Sequence, residues 1–378
     1  MRARRHPLGR RALAGFAGLA GLAGCGTFDD PSTVKDLRVL AVAAEPSEII
    51  LDVNDPGDAA TVSIPPIVLA PLIVDPAGRP VTVTVSACAN DPTAPTSPSA
   101  VSDPTGYPAG GIRNTVGSAL CDGAPTQVPL ATDVDLTSSP SIGVTLDPAW
   151  VAAAFARDVF PGADGVLHGG FDLGMPVVFE LTATAGADSV KAVKRAIFWT
   201  HAVRADQRAN TTPVIPGVRA YARRDETTAE PLPDAVQALE AGTPADVTPD
   251  GLWIDPVAAS DPTTTAPTES YVTATLDRVT GQVGAIDVKE TLTYSFYASA
   301  GTFSPLQTRS EPPPGVVPRG RLHIESKYHP PKSMTSQSPG AAATEPLAVT
   351  IWIVVRDERG GASWVTRSLR VLGPAASP

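Results

Sequence analysis

The stretch Val81-Thr82-Val83-Thr84-Val85-Ser86-Ala87-Cys88 alternates apolar and small polar side chains with a period of two. Successive side chains of a β-strand point to opposite faces, so this pattern predicts a strand with one buried face. The turn sequence Asp75-Pro76-Ala77-Gly78 precedes it, in which Pro presets φ and Gly accepts a positive φ. The apolar segment Val62–Val74, interrupted by prolines, lies before that turn. The segments on the two sides of this turn are therefore predicted to form neighbouring antiparallel strands.

The same pattern closes the chain. Val349, Ile351, Ile353 and Val355 alternate with other residues, and the turn sequence Asp357–Gly361 follows them. The segments Leu347–Arg356 and Ser363–Leu372 are therefore predicted to form a hairpin. Further strands are predicted at Leu37–Ala43, Ser141–Leu146, Pro176–Ala185, Val190–Thr200, Gly217–Arg223, Leu252–Val257, Ser270–Leu276, Val283–Val288 and Thr291–Ala298.

Composition excludes long helices and coiled coils. The chain of 378 residues contains 40 Pro and 32 Gly, while 43% of its residues are hydrophobic and only 18% charged. Pro breaks helix interiors, and this apolar content is too high for a wholly disordered chain. One short helix is predicted at Asp147–Val159, where Asp147 can cap and Pro148 suits the first helical position. Its aromatic face, with Trp150 and Phe155, is expected to plug one end of a β-sandwich.

The predicted fold is all-β, with two antiparallel β-sandwiches in tandem at residues 35–200 and 214–373. A polar linker at residues 201–213 separates them. Two long Pro-containing and Ser-containing loops are expected at residues 225–249 and 304–345. The first of these holds at most a brief helix at Asp234–Glu240. Core or sheet-face packing is expected for Trp199, Trp352 and Trp364.

The first 24 residues have the pattern of a secretory signal. A basic segment with five arginines precedes a short apolar run that ends in Leu22-Ala23-Gly24-Cys25. This ending resembles the lipobox of bacterial lipoproteins, which implies cleavage before Cys25 and acylation of that residue. Residues 25–34 would then be a tether. The alternative is an ordinary signal peptide cut nearby, which would leave Cys25 a free thiol.

Removal of the leader makes the chain strongly acidic. The five arginines of residues 1–24 leave and no acid does, so the formal net charge changes from −10 to −15. Such a surface repels phosphate backbones, so we expect no nucleic-acid partner. The expected membrane attachment is the lipid alone. Gly26 stands where the inner-membrane retention signal places Asp, which favours the outer membrane.

The remaining cysteines, Cys88 and Cys121, are predicted to form a disulfide because an exported protein meets an oxidising compartment. The bridge would close a loop of 34 residues, counting both cysteines, that is rich in Pro, Ser and Gly. The alternative is two separate buried thiols.

A search for chemistry gives no catalytic, metal or cofactor residue. The histidines left after cleavage, His168, His201, His323 and His329, form no metal-binding pair in sequence. The acidic run Asp52–Asp58 fails the calcium-loop pattern because Pro56 occupies a ligand position. A plain turn is expected there. We therefore expect a protein that is not an enzyme.

The segment Thr293–Phe303, together with Val354–Gly361, resembles immunoglobulin-like modules of the polycystic-kidney-disease type. With its lipobox and two such halves, the whole chain resembles myxobacterial envelope lipoproteins of unknown function. This resemblance implies a non-catalytic structural module or one that binds protein or glycan. Two alternatives remain: an accessory subunit of an envelope complex or export machine, and an envelope hydrolase whose site is assembled from loops.

Overall fold

A computed structural model describes much of the chain after residue 28. The described residues are 29–53, 56–89, 121, 126–157, 159–161, 165, 167–200, 209–224, 231–232, 236–257, 266–276, 283–311, 324–331 and 346–372.

The first half is a β-sandwich. Its elements are β1 (Arg38–Glu45), β2 (Glu48–Leu51), β3 (Ile67–Val74), β4 (Thr82–Ala89), β5 (Val128–Asp135), β6 (Ile142–Val144), α1 (Pro148–Arg157), β7 (Val159–Pro161), β8 (Leu167–Gly169), α2 (Gly170–Leu173), β9 (Met175–Ala185) and β10 (Asp188–Thr200). Strands β1, β3 and β6 form one sheet, and the order β2-β10-β9-β4-β5 forms the other. Strands β7 and β8 pair separately.

The second half is also a sandwich, of two five-stranded sheets. Its strands are β11 (Arg219–Tyr221), β12 (Val236–Ala238), β13 (Ala245–Val247), β14 (Leu252–Asp255), β15 (Ser270–Leu276), β16 (Val283–Lys289), β17 (Thr293–Ala298), β18 (Thr302–Ser304), β19 (Gln307–Arg309), β20 (Ser326–His329), β21 (Leu347–Arg356) and β22 (Ala362–Val371). The sheets have the orders β12-β11-β14-β20-β18 and β13-β22-β21-β17-β19, and β15 and β16 form a separate hairpin.

Each half buries its own core. Val83, Val85 and Ala87 of β4 are fully buried, as the alternation of that stretch predicts. In the second half Ile351, Ile353 and Val355 of β21 do the same. The all-β prediction of two packed sandwiches is confirmed, with one addition. Two of the three five-stranded sheets carry a short parallel edge pair, β2 with β10 and β13 with β22.

The predicted helix is present as α1, but it is shorter than expected. Asp147 accepts a hydrogen bond of 2.8 Å from the backbone N of Ala149, which caps the first turn. Phe155 packs in the first core, as predicted. The prediction is wrong at the other end, because the helix stops at Arg157 and Val159 begins β7. The four-residue helix α2 and a 3-10 helix at Pro56–Ala60 were not predicted.

The brief helix predicted at Asp234–Glu240 is wrong. Val236–Ala238 instead forms β12 and pairs with β11, because edge pairing overrides the local helix preference. Strands β13, β19 and β20 lie inside the two predicted loops, whose residues 225–230, 233–235, 312–323 and 332–345 lie outside the described residues. Among the described residues, no helix is both long and apolar enough to cross a membrane.

Candidate functional site at the junction of the two halves

Residues 30–34, which we call the N-terminal strap, lie against the second half. The backbone N of Val34 donates to the Ala298 carbonyl at 2.8 Å, and the Ala298 N donates to the Ser32 carbonyl at 2.8 Å. Ser32 also accepts a hydrogen bond at its hydroxyl from the backbone N of Phe303, at 2.8 Å. These residues belong to the predicted tether, and Thr33 forms a parallel bridge with Ala298, the last residue of β17.

An apolar contact continues from the strap. Val34, Leu40 and Trp352 form a buried cluster with Leu72, Val74 and Tyr297 packed against it. The register of β1 against β3 shifts between Val39 and Ala41, and such a β-bulge changes the direction of a side chain. Leu40 therefore packs between the halves, whereas Val42 and Ala44 of the same strand belong to the first core.

A set of buried polar residues, which we call the junction cluster, lies further along the same interface. Its members are Glu48, Lys194, Asn210, Glu269, Glu290, Asp357 and Arg359. Arg359, which is only 4% exposed, donates to Glu48 and also to Glu269 at 2.9 Å. Its guanidinium lies 4.6 Å from the centre of the Tyr271 ring. Burial opposes the charge of Arg359, but the ion pairs with Glu48 and Glu269 raise its pKa.

Among the members of the junction cluster that belong to the first half, Glu48 is central and is only 2% exposed. It accepts a hydrogen bond of 3.3 Å from the indole N of Trp199 and one of 3.0 Å from the backbone N of Asn210. Asn210 lies in the predicted linker, and its side chain is buried between the halves. Its side-chain amide donates to Asp357 at 2.8 Å and to the Ser47 hydroxyl at 3.0 Å.

The turn between β21 and β22, in the second half of the chain, supplies Asp357 and Arg359 to the junction cluster. Asp357 accepts backbone N–H bonds from Arg359 at 2.9 Å and Gly361 at 2.6 Å. A Cβ added at Gly361 would lie 2.1 Å from an Asp357 carboxylate oxygen and 2.8 Å from Pro213. Gly is therefore required at this position for the close approach of the linker.

Burial and like charge shift the protonation of the cluster. Burial, together with the nearby Asp357 and Glu269 carboxylates, raises the pKa of Glu290 to about 7. Burial also raises the pKa of Asp357, against the hydrogen bonds that it accepts. The pKa of Lys194 is lowered to about 8 by burial, although Asp357 favours its charge. The Lys194 ammonium donates to the Gly360 carbonyl, which ties β10 to the turn.

A second polar cluster lies on the sheet of β11 and β14. Arg219 donates twice to one oxygen of Asp255, at 3.0 and 2.8 Å, and both side chains are buried. Beside them the Arg224 guanidinium lies 3.7 Å from the centre of the Trp253 ring. Burial, and then the Glu325 and Asp255 carboxylates, raise the pKa of Tyr221. This arrangement binds strands to each other.

The junction cluster joins the two halves. Six of its members are buried, and their donors face acceptors across the interface. Within the described part of the chain, no set of three His, Cys, Asp or Glu residues could hold a metal ion. These hydrogen bonds and ion pairs hold the two halves against each other, while among the described residues Asn210 Oδ1 and Glu290 Oε1 are buried with no hydrogen-bond partner.

Of the site residues predicted from sequence, the structure brings Cys88 and Cys121 together. They form a disulfide with Cα atoms 5.4 Å apart, which lies against Val178. The lipidation site Cys25 and the lipobox residues Leu22, Ala23 and Gly24 lie outside the described residues.

Of the four histidines, His168 lies in the first half and His329 in the second. His168 is buried with its Nδ1 3.6 Å from Asp172, and burial and then Lys327 lower the pKa of His329. His201 and His323 lie outside the described residues. The acidic run continues into the 3-10 helix at Pro56–Ala60, with residues 54 and 55 outside the described part.

Sequence reasoning missed the junction cluster. Glu48 and Arg359 are 311 positions apart, so no local spacing links them. One signal was available: Glu48 directly precedes Ile49, Ile50 and Leu51, and a carboxylate in an apolar strand needs a buried partner.

No protein-family model and no curated protein matches the chain. Among solved structures, one match is the dimeric latent PorU from Porphyromonas gingivalis, at 10% sequence identity. The superposition covers 91% of this chain and 24% of the PorU chain, with a TM-score of 0.16. This chain therefore spans about a quarter of the PorU chain, and a superposition this loose carries no argument.

Proposed function

We propose that the chain is a cell-envelope lipoprotein, exported and anchored by acyl chains on Cys25, which contacts an envelope partner without catalysing a reaction. The outer membrane is the proposed location. The observation that carries the export proposal is the Cys88–Cys121 disulfide, buried against β9. Disulfides persist in oxidising compartments and are rare in the cytosol.

The anchor proposal rests on Leu22-Ala23-Gly24-Cys25 behind a basic and then apolar leader. Two or three acyl chains hold a protein on a membrane stably, whereas one chain binds only marginally. The packed junction supports a protein that acts as one rigid body. Its polar groups are used to hold the halves together, which favours a structural or binding role.

A protein partner is favoured over a glycan by the hairpin of β15 and β16. Ile286 is 47% exposed on this hairpin and Val283 is also exposed. Apolar side chains of this kind offer contact area to another protein but no hydrogen bond to sugar hydroxyls. This feature also supports the accessory-subunit alternative.

The anchor is tested by expressing wild type, Cys25→Ser and Thr27→Ser in a bacterium fed an alkyne fatty acid. Wild type and Thr27→Ser should carry the label and float with membranes, and Cys25→Ser should do neither. A Cys25→Ser protein that keeps both properties overturns the anchor.

The partner class is tested by placing a photo-crosslinking residue at position 286 and, as a matched control, at Val193, which is 48% exposed on β10. A protein adduct of defined mass should form in intact cells at position 286 and not at position 193. Adducts of equal yield at both positions contradict a protein-binding role for the hairpin.

A further inference from the structure

We propose that the membrane lies against one particular end of the molecule, the end that carries the N-terminal strap, and that the β15–β16 hairpin points away from it. This inference rests on the proposed lipid anchor at Cys25. It adds which surface faces the bilayer and which surface is free for a partner.

The strap fixes where the chain leaves the folded body. Besides its bonds to Ala298 and Phe303, the segment is held by Arg38, which donates to the Pro31 carbonyl at 2.8 Å. Asp29 is paired with Lys35, and Asp30 lies close enough to His329 to favour its charged form. The exit point is therefore held between the start of β1 and the end of β20.

The anchor cannot lie far from that point. Asp29 is four positions after Cys25, and an extended chain spans at most ~3.6 Å per residue, so the acylated cysteine lies within ~14 Å of Asp29. The ten residues of β21 alone extend over ~33 Å, at ~3.3 Å per residue. The tether is thus much shorter than the sandwich is long.

Strand direction shows which features share the strap end. In the second half, the strap contacts Ala298, the last residue of β17, and Phe303 of β18. Strand β17 runs antiparallel to β21, so its last residue lies towards the start of β21 and the end of β22, and Ala298 itself pairs with Ile351, the fifth residue of β21. The opposite end holds the Asp357–Gly361 turn and Glu290, from which the β15–β16 hairpin extends.

The first half lies alongside in the same direction. Its strand β1 begins near the strap and ends near Ser47, which approaches Gly360. Arg38 at the start of β1 pairs with Val74, so the tight turn Asp75–Gly78 lies at the strap end. The disulfide lies at the far end of β4 and, with α1, at the other end of this half.

The two ends differ in the way that this orientation requires. At the strap end Arg79 is bonded to Asp75 at 2.9 Å and to Asp188 at 2.6 Å, which closes the turns into a compact surface. The other end carries the hairpin with exposed Val283 and Ile286. Because the junction cluster ties the halves together, a strap held at the membrane orients both of them.

The test uses the full lipidated protein with one added cysteine. Cys25 is acylated and Cys88 and Cys121 are bonded to each other, so an added cysteine supplies the free thiol for a fluorophore. Asp36→Cys and Ala348→Cys place it at the strap end, and Ala153→Cys and Asp287→Cys place it at the opposite end; all four positions are exposed. Vesicles of phosphatidylethanolamine and phosphatidylglycerol carry a nitroxide on a fraction of their headgroups, which quenches nearby fluorophores.

Quenching should be several-fold stronger for the two strap-end labels than for the other two. Insertion of 20 Gly/Ser residues between Gly26 and Thr27 raises the tether reach by about 25 Å and should abolish the difference. Equal quenching of all four labels in vesicle-bound protein overturns the proposed orientation alone. A difference that survives the insertion overturns the short tether as its cause. Wild-type protein that does not float with vesicles overturns the anchor and the orientation together.

Discussion

Replacing Arg359 by Met tests whether the junction cluster holds the two halves together. The change removes the guanidinium that pairs with Glu48 and Glu269 and stacks on Tyr271, while the apolar stem is largely retained. Glu48, only 2% exposed, loses its ion pair with Arg359. Breaking a buried ion pair on one side costs about 3–5 kcal/mol, so we expect a loss of this size in the free energy of unfolding.

The assay is urea unfolding, followed by tryptophan fluorescence and by circular dichroism. Trp199 donates to Glu48 and Trp352 packs between the halves, so two of the five tryptophans report on the junction. We expect the wild type to unfold in one transition. Arg359→Met should unfold at a lower urea concentration, and its fluorescence and circular dichroism transitions should no longer coincide because the halves separate first. The double variant Glu48→Gln/Arg359→Met should lose less than the sum of the two single losses, because each removes the same contact.

Arg370→Met is the matched control. Arg370 donates to both carboxylate oxygens of Asp246, at 2.5 and 2.8 Å, and both side chains are about half exposed. An exposed pair is screened by solvent, so little change is expected there. If Arg359→Met and Arg370→Met shift the urea midpoint equally, the reasoning about the junction is refuted.

Three further predictions follow from the same contacts. The pKa of Glu290 in the folded protein is about 7, above its ordinary value of 4.5, so the folded state binds the proton more tightly and the free energy of unfolding should fall as pH rises from about 4.5 to 7. The urea midpoint should change less with pH in Glu290→Gln than in the wild type. An equal change of the midpoint in both proteins contradicts the assignment. Gly361→Ala should destabilise the protein by more than Gly78→Ala. A Cβ at position 361 would lie 2.1 Å from Asp357, whereas a Cβ at position 78 has no atom within 4 Å and is disfavoured only by the positive φ, at a cost of about 1 kcal/mol. Thermal melts that rank the two variants the other way would disprove this. Reduction of Cys88–Cys121 should lower stability by roughly 3–4 kcal/mol, since the bridge closes a long loop, and a melting temperature unchanged by reductant would count against it.

The strands with clean alternation could be predicted from sequence to within a residue or two. Val81–Cys88 appears as Thr82–Ala89, and the closing hairpin appears as β21 and β22 with its turn in place. In these segments burial on one face fixes the pattern locally. The helix cap at Asp147 was equally local, since the capping contact spans two residues.

The missed strands lack a local signal. Glu48–Leu51 forms β2 only because it pairs in parallel with β10, about 150 residues away. Strand β5 lies at a sheet edge, is mostly exposed, and shifts register twice against β4, so its sequence shows no regular alternation. The same reasoning applies to the junction cluster, whose members come together only after both sandwiches form.

The most direct test of the proposed anchor and disulfide is the intact mass of the mature protein, extracted from its native membrane without reductant. We expect a chain that begins at Cys25 with a thioether-linked diacylglycerol and an N-acyl chain, two mass units lighter than the reduced form because Cys88 and Cys121 are bonded. A chain that begins elsewhere, or that has an unmodified Cys25, contradicts the anchor, and a mass that shows both thiols free contradicts the disulfide.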